Sequence, residues 1–354
     1  MIKLIKIPGL IDPHVHLREF GANHKEDFYT GTCAALAGGY TAIIDMPNNP
    51  EPTVTLKAIK LKEKLASKKC VCDFGFLFGA DNKNWRLHHK AAQKTFGIKL
   101  FMDQTTGPLL VTDLEILKKH FQYWPKFKPI MVHAEDSTLA KAIALAFIYD
   151  KWLHVCHVNK EAEIDLIVKA RKKGLKITCE TAPHYLILTE KESKELWPFS
   201  NMRPPLATKK DVNAIWWAIN NRVIDFIAND HAPHTIEEKQ SDNPPCGVPG
   251  LETCLSLLLT FKAQGKISLK RIIELTSLNP QKFLKIKLSK NTYTEIDLNK
   301  KWVVSNKDLK TKCGWSLFNG KKMTGKVIRV FIRGKKVFEN GQILVKKGFG
   351  KLLS

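Results

Sequence analysis

Two histidines stand two residues apart near the start of the chain, in the stretch GLIDPHVHLRE. The apolar residues before them predict a β-strand, and side chains two residues apart on a strand face the same side. His14 and His16 therefore point together at the carboxyl end of that strand, and Arg18 follows two residues later. Paired imidazoles are typical zinc ligands. The pair is also compatible with two polar strand-end residues that are simply hydrogen-bonded.

Further groups of the same kind end later strand-like runs. His133 ends PIMVH, His157 ends WLHVCH and Asp230 ends DFIAND. Lys99 lies inside the apolar run FGIKLF, where a charged group requires a partner or a function. Imidazole with carboxylate is a donor set that suits zinc, so this repetition favours a metal centre over unrelated polar residues.

The elements that must position these groups alternate along the chain. Helical patterns cover EDFYTGTCAALAGG and the ranges 56–67, 112–123, 138–148, 160–173 and 209–220. The eight strand candidates are GLIDPHVHL, YTAIIDMP, DFGFLFGA, FGIKLFM, PIMVHAE, WLHVCHV, KITCETAPHYLIL and DFIANDHAPH. This alternation predicts an α/β fold, a (β/α)8 barrel with its site at the carboxyl ends of the strands. A doubly wound sheet is the alternative.

The last part of the chain has a different pattern. YTEIDL and KVIRVFIRGKKVFENGQILV, with its ENG turn, predict β-hairpins. We expect a small β annex that also takes in the first few residues. The predicted boundaries are 9–286 for the barrel, and 1–8 together with 287–354 for the annex.

Composition limits the class of protein. The chain has 354 residues, 44% of them hydrophobic, which is enough for one large core. MIKLIKIPGL has too short an apolar run for a signal peptide, and no stretch of about 18 apolar residues predicts a membrane span. Eight scattered cysteines argue against a disulfide framework, so we expect a reduced, cytoplasmic enzyme.

The formal net charge is +23, and much of the excess lies in the annex. Residues 287–354 contain 17 Lys and Arg against 4 Asp and Glu. Such a surface could face an acidic partner or nucleic acid. No RNA-binding aromatic motif or zinc-finger spacing accompanies the charge, so solvated lysines are the simpler interpretation and no nucleic-acid partner is expected.

As a set, several motifs resemble the dihydroorotase family of the amidohydrolase superfamily. They are GLIDPHVHLRE, MPNN, GIKLF, VHAE, HVCHV, TCETAPHY and NDHAPHT. The likeness spans nearly the whole chain and is strongest to the dihydroorotase domain of the animal multifunctional pyrimidine-synthesis protein. It implies reversible, zinc-dependent cyclisation of N-carbamoyl-L-aspartate to (S)-dihydroorotate in de novo pyrimidine biosynthesis.

The resemblance also implies a metal centre. It assigns one zinc to His14, His16 and Asp230, and a second to His133 and His157. A carbamylated Lys99 would bridge the two ions. A metal-bridging hydroxide would attack the amide, with Asp230 as the catalytic proton shuttle. The animal domain has a third zinc site, and the residues matching it here are His14, Cys156 and Glu180.

Substrate-binding positions carry over in the same way. The matching residues are Arg18, Asn48, Thr105, Arg203, His234, Pro249 and Gly250. The planar fork of Arg18 suits a bidentate contact with the substrate carboxylate. Thr105 belongs to the loop that acts as a mobile lid in the family, and in the animal domain an aromatic residue comes next. Here Thr106 and Gly107 follow, which puts closure of the lid in question.

Other interpretations stay open at this stage. Hydantoinases and allantoinases share the histidine pair and the lysine but typically lack an arginine matching Arg18. An inactive dihydroorotase-like scaffold is a second alternative, although a scaffold has no need to keep a complete set of metal ligands. We expect a homodimer, and aspartate transcarbamoylase is a candidate partner for the basic annex.

Overall fold

The structure of the protein is a computed structural model, and it describes residues 4–353. In chain order the strands are β1 (Ile5–Pro8), β2 (Leu10–Val15), β3 (Tyr40–Asp45), β4 (Asp73–Phe76), β5 (Phe78–Gly79), β6 (Ile98–Phe101), β7 (Ile130–His133), β8 (Leu153–Val155), β9 (Ile177–Thr181), β10 (Phe226–Ile227), β11 (Tyr293–Val303), β12 (Lys322–Ile332), β13 (Lys335–Glu339) and β14 (Gln342–Ile343).

The helices are α1 (Phe28–Ala37), α2 (Leu56–Lys69), α3 (His88–Ala92), α4 (Leu114–Tyr123), α5 (Asp136–Ile148), α6 (Glu161–Lys172), α7 (Glu190–Glu195), α8 (Lys209–Asn220), α9 (Ile236–Lys239), α10 (Cys254–Ala263), α11 (Leu269–Ile273) and α12 (Asn279–Leu284). A π-helical turn, Glu274–Leu278, joins α11 to α12. None of the described helices is both long and apolar enough to cross a membrane.

Strands β2 to β10 form the predicted eight-stranded parallel barrel. Strands β2, β3 and β4 pair in one run, and β5 to β10 pair in order in the other. Strands β4 and β5 are separated only by Leu77 and together act as the third barrel strand. The carboxyl ends of the strands form the mouth of the barrel. There Val15 forms a β-bridge with His231, and the backbone N–H of His16 donates to the His231 carbonyl over 2.8 Å. The (β/α)8 prediction is confirmed.

Two predicted strands are shorter than expected, and the reason is local. The run predicted over 176–188 ends as a strand at Thr181, and Pro183 then begins a 3-10 turn. Proline has no N–H to donate to a strand ladder, so the pairing stops there. In DFIANDHAPH only Phe226–Ile227 form a strand, and His231 makes isolated bridges in the loop that follows.

The annex is a five-stranded antiparallel sheet in the order β1-β11-β12-β13-β14. Ile5 pairs with Ile296, so the start of the chain joins the tail as expected. The predicted turn between β13 and β14 has positive φ at Asn340 and Gly341, as a tight hairpin requires. The annex is thus built from both terminal segments, while residues 1–3 and 354 lie outside the described part.

A buried ion pair fixes the end of β3 beside the end of β2. Lys62 of α2 and Asp45 are both fully buried, with Nζ and Oδ2 2.6 Å apart. The same ammonium donates to the Met46 carbonyl and to Asn49 Oδ1. The other Asp45 oxygen accepts the backbone N–H of Leu17 over 2.7 Å. One lysine thereby holds the two loops that follow the first two barrel strands.

We predict that Lys62→Met lowers the free energy of unfolding by about 3–5 kcal/mol, because it leaves the Asp45 carboxylate buried without its partner. Urea denaturation followed by circular dichroism measures this change. Lys60→Met is the control, since Lys60 lies on the same helix with an exposed side chain. Equal stability of the two variants would contradict the role assigned to the ion pair.

Candidate active site

His14, in β2, and His16, just after β2, both lie close to the carboxylate of Asp230. Asp230 Oδ1 lies 3.0 Å from His16 Nε2 and 3.3 Å from His14 Nε2. Asn48 fixes the other side of the His16 ring, with Oδ1 2.7 Å from Nδ1. His14 and His16 are buried, whereas about 15% of the Asp230 side chain is exposed. These three residues have donor atoms close enough to hold one metal ion.

A second pair of imidazoles lies against the first. His133, at the end of β7, places Nδ1 2.8 Å from Nε2 of His157, which follows β8. The rings of His157 and His14 have centroids 5.6 Å apart. His133 Nε2 and His157 Nδ1 are buried and have no hydrogen-bond partner among the described residues. Neutral imidazoles whose Nδ1 and Nε2 atoms converge in this way are suitable metal ligands.

Lys99 lies on the inner face of β6 and is fully buried. Its Nζ donates to Cys156 Sγ over 2.9 Å. Cys156 forms a further group with His14 and Glu180, whose donor atoms all lie within 4.8 Å of one another. Nδ1 of His14 contacts Glu180 Oε1 directly, and Glu180 Oε2 is buried without a hydrogen-bond partner among the described residues. His14 is therefore shared by two candidate metal-binding groups.

Burial sets the protonation states of these groups. It lowers the pKa of His14, His16 and His157, and that of His133 to about 3, so the imidazoles are neutral and keep lone pairs for a cation. Burial also opposes ionisation of Asp230, but its hydrogen bond to His16 and the nearby positive groups hold its pKa below the ordinary value.

The pKa values of Glu180 and Cys156 are raised rather than lowered. Burial raises the pKa of Glu180 to about 8 and that of Cys156 to about 12. A bound cation would favour the anionic forms of both groups, so binding at this second group would release protons.

Three of the predicted site residues have left-handed backbone. The φ angles are +61° at Arg18, +39° at His157 and +45° at Asp230. This conformation is uncommon for residues with a Cβ atom and costs of order 1–3 kcal/mol each. Glycine would remove that cost but would also remove the functional side chain. Backbone strain at functional residues is typical of a site that fixes the direction of its side chains.

A small cavity opens beside Asp230. Its walls are His16, Arg18, Asn48, Thr105, Thr106, His184, Met202, Arg203, Asp230, Ala232, Cys246, Gly247 and Val248. Four of the predicted substrate-binding residues, Arg18, Asn48, Thr105 and Arg203, are therefore brought together. His234 lies just behind the wall, with Nε2 3.1 Å from Arg18 Nη2.

Pro249 and Gly250 are not among the residues that line this cavity. They lie beside it with His231, and the N–H of Gly250 donates to His231 Nδ1 over 3.1 Å. The neighbouring Gly247 and Val248 supply the backbone that faces the cavity. A role of Pro249 and Gly250 in substrate binding stays a prediction.

Arg18 is oriented by the loop that follows Asp230. Its Nε donates to the Pro233 carbonyl over 3.0 Å, and the side chain is buried apart from its edge on the cavity. Burial lowers the pKa of Arg18 to about 10, so the guanidinium remains charged at neutral pH. Among the residues lining the cavity, Arg18 and Arg203 are the two cations, which makes the cavity suited to an anion.

The loop with the unusual Thr106–Gly107 pair lies over the cavity. Thr106 Oγ1 donates to the Cys246 carbonyl, and the Thr106 carbonyl accepts from Asn48 Nδ2, both over 2.9 Å. Gly107 has a φ of +109°, and a Cβ there would lie 2.8 Å from the Asn48 carbonyl. Two hydrogen bonds made by Thr106 thus hold the loop over the cavity.

Some residues of the cavity were not predicted from the sequence. His184 follows β9 in the 3-10 turn and lines the cavity, and burial lowers its pKa to about 4. Its position just beyond a strand end was the available signal. Met202 and Cys246 come from long loops far from any strand end, so no sequence pattern indicated them.

Comparison with known proteins adds family relationships. Residues 5–337 match the amidohydrolase family. The chain is 42% identical over 350 residues to the multifunctional protein CAD of Squalus acanthias, covering 99% of this chain but 16% of that protein. It is 34% identical over 368 residues to the dihydroorotase of Pyrococcus abyssi, covering 97% of this chain and 85% of that enzyme.

Solved structures with this fold include the L-hydantoinase (dihydropyrimidinase) of Arthrobacter aurescens. The TM-score is 0.93 at 25% identity, covering 99% of this chain and 88% of that one. The inactive dihydroorotase-like domain of the Chaetomium thermophilum CAD-like multifunctional protein has a TM-score of 0.85 at 24% identity, covering 99% and 100%. The second likeness concerns the fold alone.

Proposed function

The chain belongs to the amidohydrolase family, and on that premise we propose that it is a dihydroorotase. Its reaction would be the reversible, zinc-dependent cyclisation of N-carbamoyl-L-aspartate to (S)-dihydroorotate in pyrimidine biosynthesis. The observation that carries the proposal is the position of Arg18, which lines the same cavity as Asp230 and His16. That arrangement would hold a carboxylated substrate next to a metal-binding group.

The donor set fits a zinc centre. His14, His16 and Asp230 would hold one ion, and His133 and His157 a second, with carbamylated Lys99 between them. The neutral, buried imidazoles and the convergence of His133 Nδ1 with His157 Nε2 support this assignment. When bound, zinc lowers the pKa of a coordinated water towards neutrality and polarises the amide carbonyl. His14, Cys156 and Glu180 would form the third site.

Asp230 would carry the proton. Its carboxylate is ionised at neutral pH because the hydrogen bond with His16 and the nearby charge of Lys99 hold its pKa below the ordinary value, and it is partly exposed to the cavity. During hydrolysis of the ring it would accept a proton from the attacking water and deliver it to the departing nitrogen. In the direction of cyclisation the same oxygen would return the proton.

Arg18 favours this substrate over those of the related cyclic amidases. A guanidinium buried beside the metal-binding group needs an anionic partner, which dihydroorotate has and hydantoin lacks. Arg203 adds a second positive group to the wall of the cavity. A hydantoinase-type activity is therefore the alternative, and the complete set of donor residues argues against an inactive scaffold.

The remaining assignments extend the same proposal. The barrel and annex boundaries are placed at 9–286 and at 1–8 with 287–354. A cytoplasmic enzyme fits a role in pyrimidine synthesis and the eight free cysteines. A homodimer is proposed, and aspartate transcarbamoylase, which makes N-carbamoyl-L-aspartate, is the proposed partner of the basic annex.

Purified protein should cyclise N-carbamoyl-L-aspartate and should contain at least two zinc ions per chain by atomic emission. Lys99→Ala should lose zinc and activity together, because the bridging ligand is gone. Short carboxylic acids should restore part of the activity by replacing the carbamate. An alanine variant that keeps two tightly bound zinc ions without added acid would rule out the bridge.

Asp230→Asn should reduce kcat by at least about 10²-fold, which is the lower range for loss of a general acid–base group. The amide keeps the shape of the side chain but cannot carry the proton. The readout is kcat for both directions in zinc-loaded protein, with circular dichroism as a check on folding. Turnover within a few-fold of the parent would exclude Asp230 as the proton carrier.

Arg18→Met should weaken processing of dihydroorotate at least about tenfold, since a charge-assisted hydrogen bond contributes about 1.5–3 kcal/mol and 1.4 kcal/mol is one decade. Uncharged rings such as hydantoin and dihydrouracil should lose little. Values of kcat/KM for each substrate measure this difference. Equal losses on charged and uncharged rings would make Arg18 a structural residue and favour the hydantoinase alternative.

A further inference from the structure

Lys239, the last residue of α9, is completely buried. Its Nζ donates to three backbone carbonyls, those of Asn201 over 2.9 Å, Pro245 over 3.0 Å and Gly247 over 3.2 Å. An ammonium has three N–H donors and no acceptor, so these contacts use all of its hydrogen-bonding capacity. Burial lowers the pKa of Lys239 to about 8, so the side chain is mainly charged at neutral pH. One buried charge therefore joins two loops that both supply residues to the wall of the cavity.

The peptide unit between Cys246 and Gly247 lies at the centre of these contacts. The N–H of Gly247 donates to the Asn201 carbonyl over 3.0 Å, and that carbonyl also accepts from Lys239. The N–H and C=O of a trans peptide point in opposite directions in one plane. The Cys246 carbonyl therefore points away from Asn201, and it accepts from Thr106 Oγ1 over 2.9 Å.

Gly247 makes an external anchor for this peptide necessary. Its φ is +138°, a conformation that L side chains rarely adopt, and a Cβ there would lie 2.6 Å from the Ala232 carbonyl. Glycine rotates about φ at little steric cost, so the residue itself does not hold the peptide plane in one direction. The bonds from Lys239 to the carbonyls before and after Cys246 fix the two neighbouring peptide planes instead.

Thr106 connects this anchor to the loop between β6 and α4. Thr105 and Thr106 of that loop both line the cavity. The hydroxyl of Thr106 is bound to the Cys246 carbonyl on one side, and its own carbonyl is bound to Asn48 on the other. If the Cys246 carbonyl turned, the first of these two bonds would be lost and the loop would be held only by the second.

We propose that Lys239 is a positioning residue that holds the loop between β6 and α4 over the cavity, acting through the direction of the Cys246 carbonyl. Lys239 is not among the residues that line the cavity, so it acts without touching a substrate. Release of the loop would lower the fraction of protein with a covered cavity, and the apparent affinity for substrate falls with that fraction. The effect on substrate rests on the proposed dihydroorotase function, whereas the hold on the loop does not.

A double-mutant cycle tests this route. Thr106→Val removes the hydroxyl, and Lys239→Met removes the ammonium but keeps a long unbranched side chain. Hydrogen exchange of the amides in residues 103–110, followed by mass spectrometry, should be about three- to tenfold faster in each single variant, the range for loss of one neutral hydrogen bond. The double variant should exchange no faster than the faster single variant, because both changes break the same contact. A merely structural lysine would give two independent effects.

Lys151→Met is the matched control. Lys151 is also buried and its Nζ donates to the carbonyls of Gln122 and Trp124, but it precedes β8 and so lies at the amino ends of the barrel strands. This variant should leave exchange in residues 103–110 unchanged. Exchange in β12 reports any general loss of stability. Lys239→Gln, which keeps a polar group at the buried position, takes the place of Lys239→Met if that variant does not fold.

In the active enzyme, each variant that speeds exchange should raise KM for N-carbamoyl-L-aspartate by a similar factor, with a smaller change in kcat. Unchanged exchange in Thr106→Val or in the Lys239 variants, additive effects in the double variant, or faster exchange with an unchanged KM would overturn the role of Lys239. A parent protein that does not convert N-carbamoyl-L-aspartate would overturn the proposed function instead, and the exchange rates would still decide whether Lys239 holds the loop.

Discussion

The site depends on the contact that closes the barrel between β2 and β10. The buried Asp12 accepts from the backbone N–H of His14 over 3.0 Å and from Asn229 Nδ2 over 2.6 Å, joining residues 217 positions apart. Burial raises the pKa of Asp12 to about 8, although these hydrogen bonds oppose the shift. Because the joint aligns the ends of both strands, the imidazoles after Asp12 meet the carboxylate of Asp230.

This geometry requires polar groups to be buried, and the fold meets that requirement in different ways. Asp45 has a lysine partner, whereas His133 and His157 are neutral and hydrogen-bond to each other. Ionisable groups buried at the carboxyl ends of the barrel strands interact strongly with any cation that enters, because solvent does not screen their charges. The same desolvation that disfavours charge on these donor groups therefore favours metal binding.

The annex contributes to the site as well as covering the barrel. The segment between β11 and β12 includes Trp315, whose Nε1 donates to the His234 carbonyl over 2.7 Å. Thr311 of the same segment donates to the buried Glu26, whose other contacts include His231. The backbone near the Arg18 cavity is thus held by a segment that lies 81 positions after His234 and 285 positions after Glu26.

The sequence alone predicted much of this arrangement. Alternating apolar runs and helical patterns indicated the barrel, and residues at strand ends had to share its mouth because parallel strands end on one face. His14, His16, Lys99 and Asp230 could be identified in this way, since their positions follow from period and topology. The motif resemblance supplied the family, which the relatives confirm.

Other features were decided only by the tertiary structure. Lys25 and Cys246 lie in loops without periodicity, and nothing local indicates that they approach His234 from opposite sides. The hydrogen bonds that hold Thr106 over the cavity likewise join three separate loops. Period and spacing determine which face of an element a side chain occupies, whereas contacts between loops depend on how the closed barrel brings distant segments together.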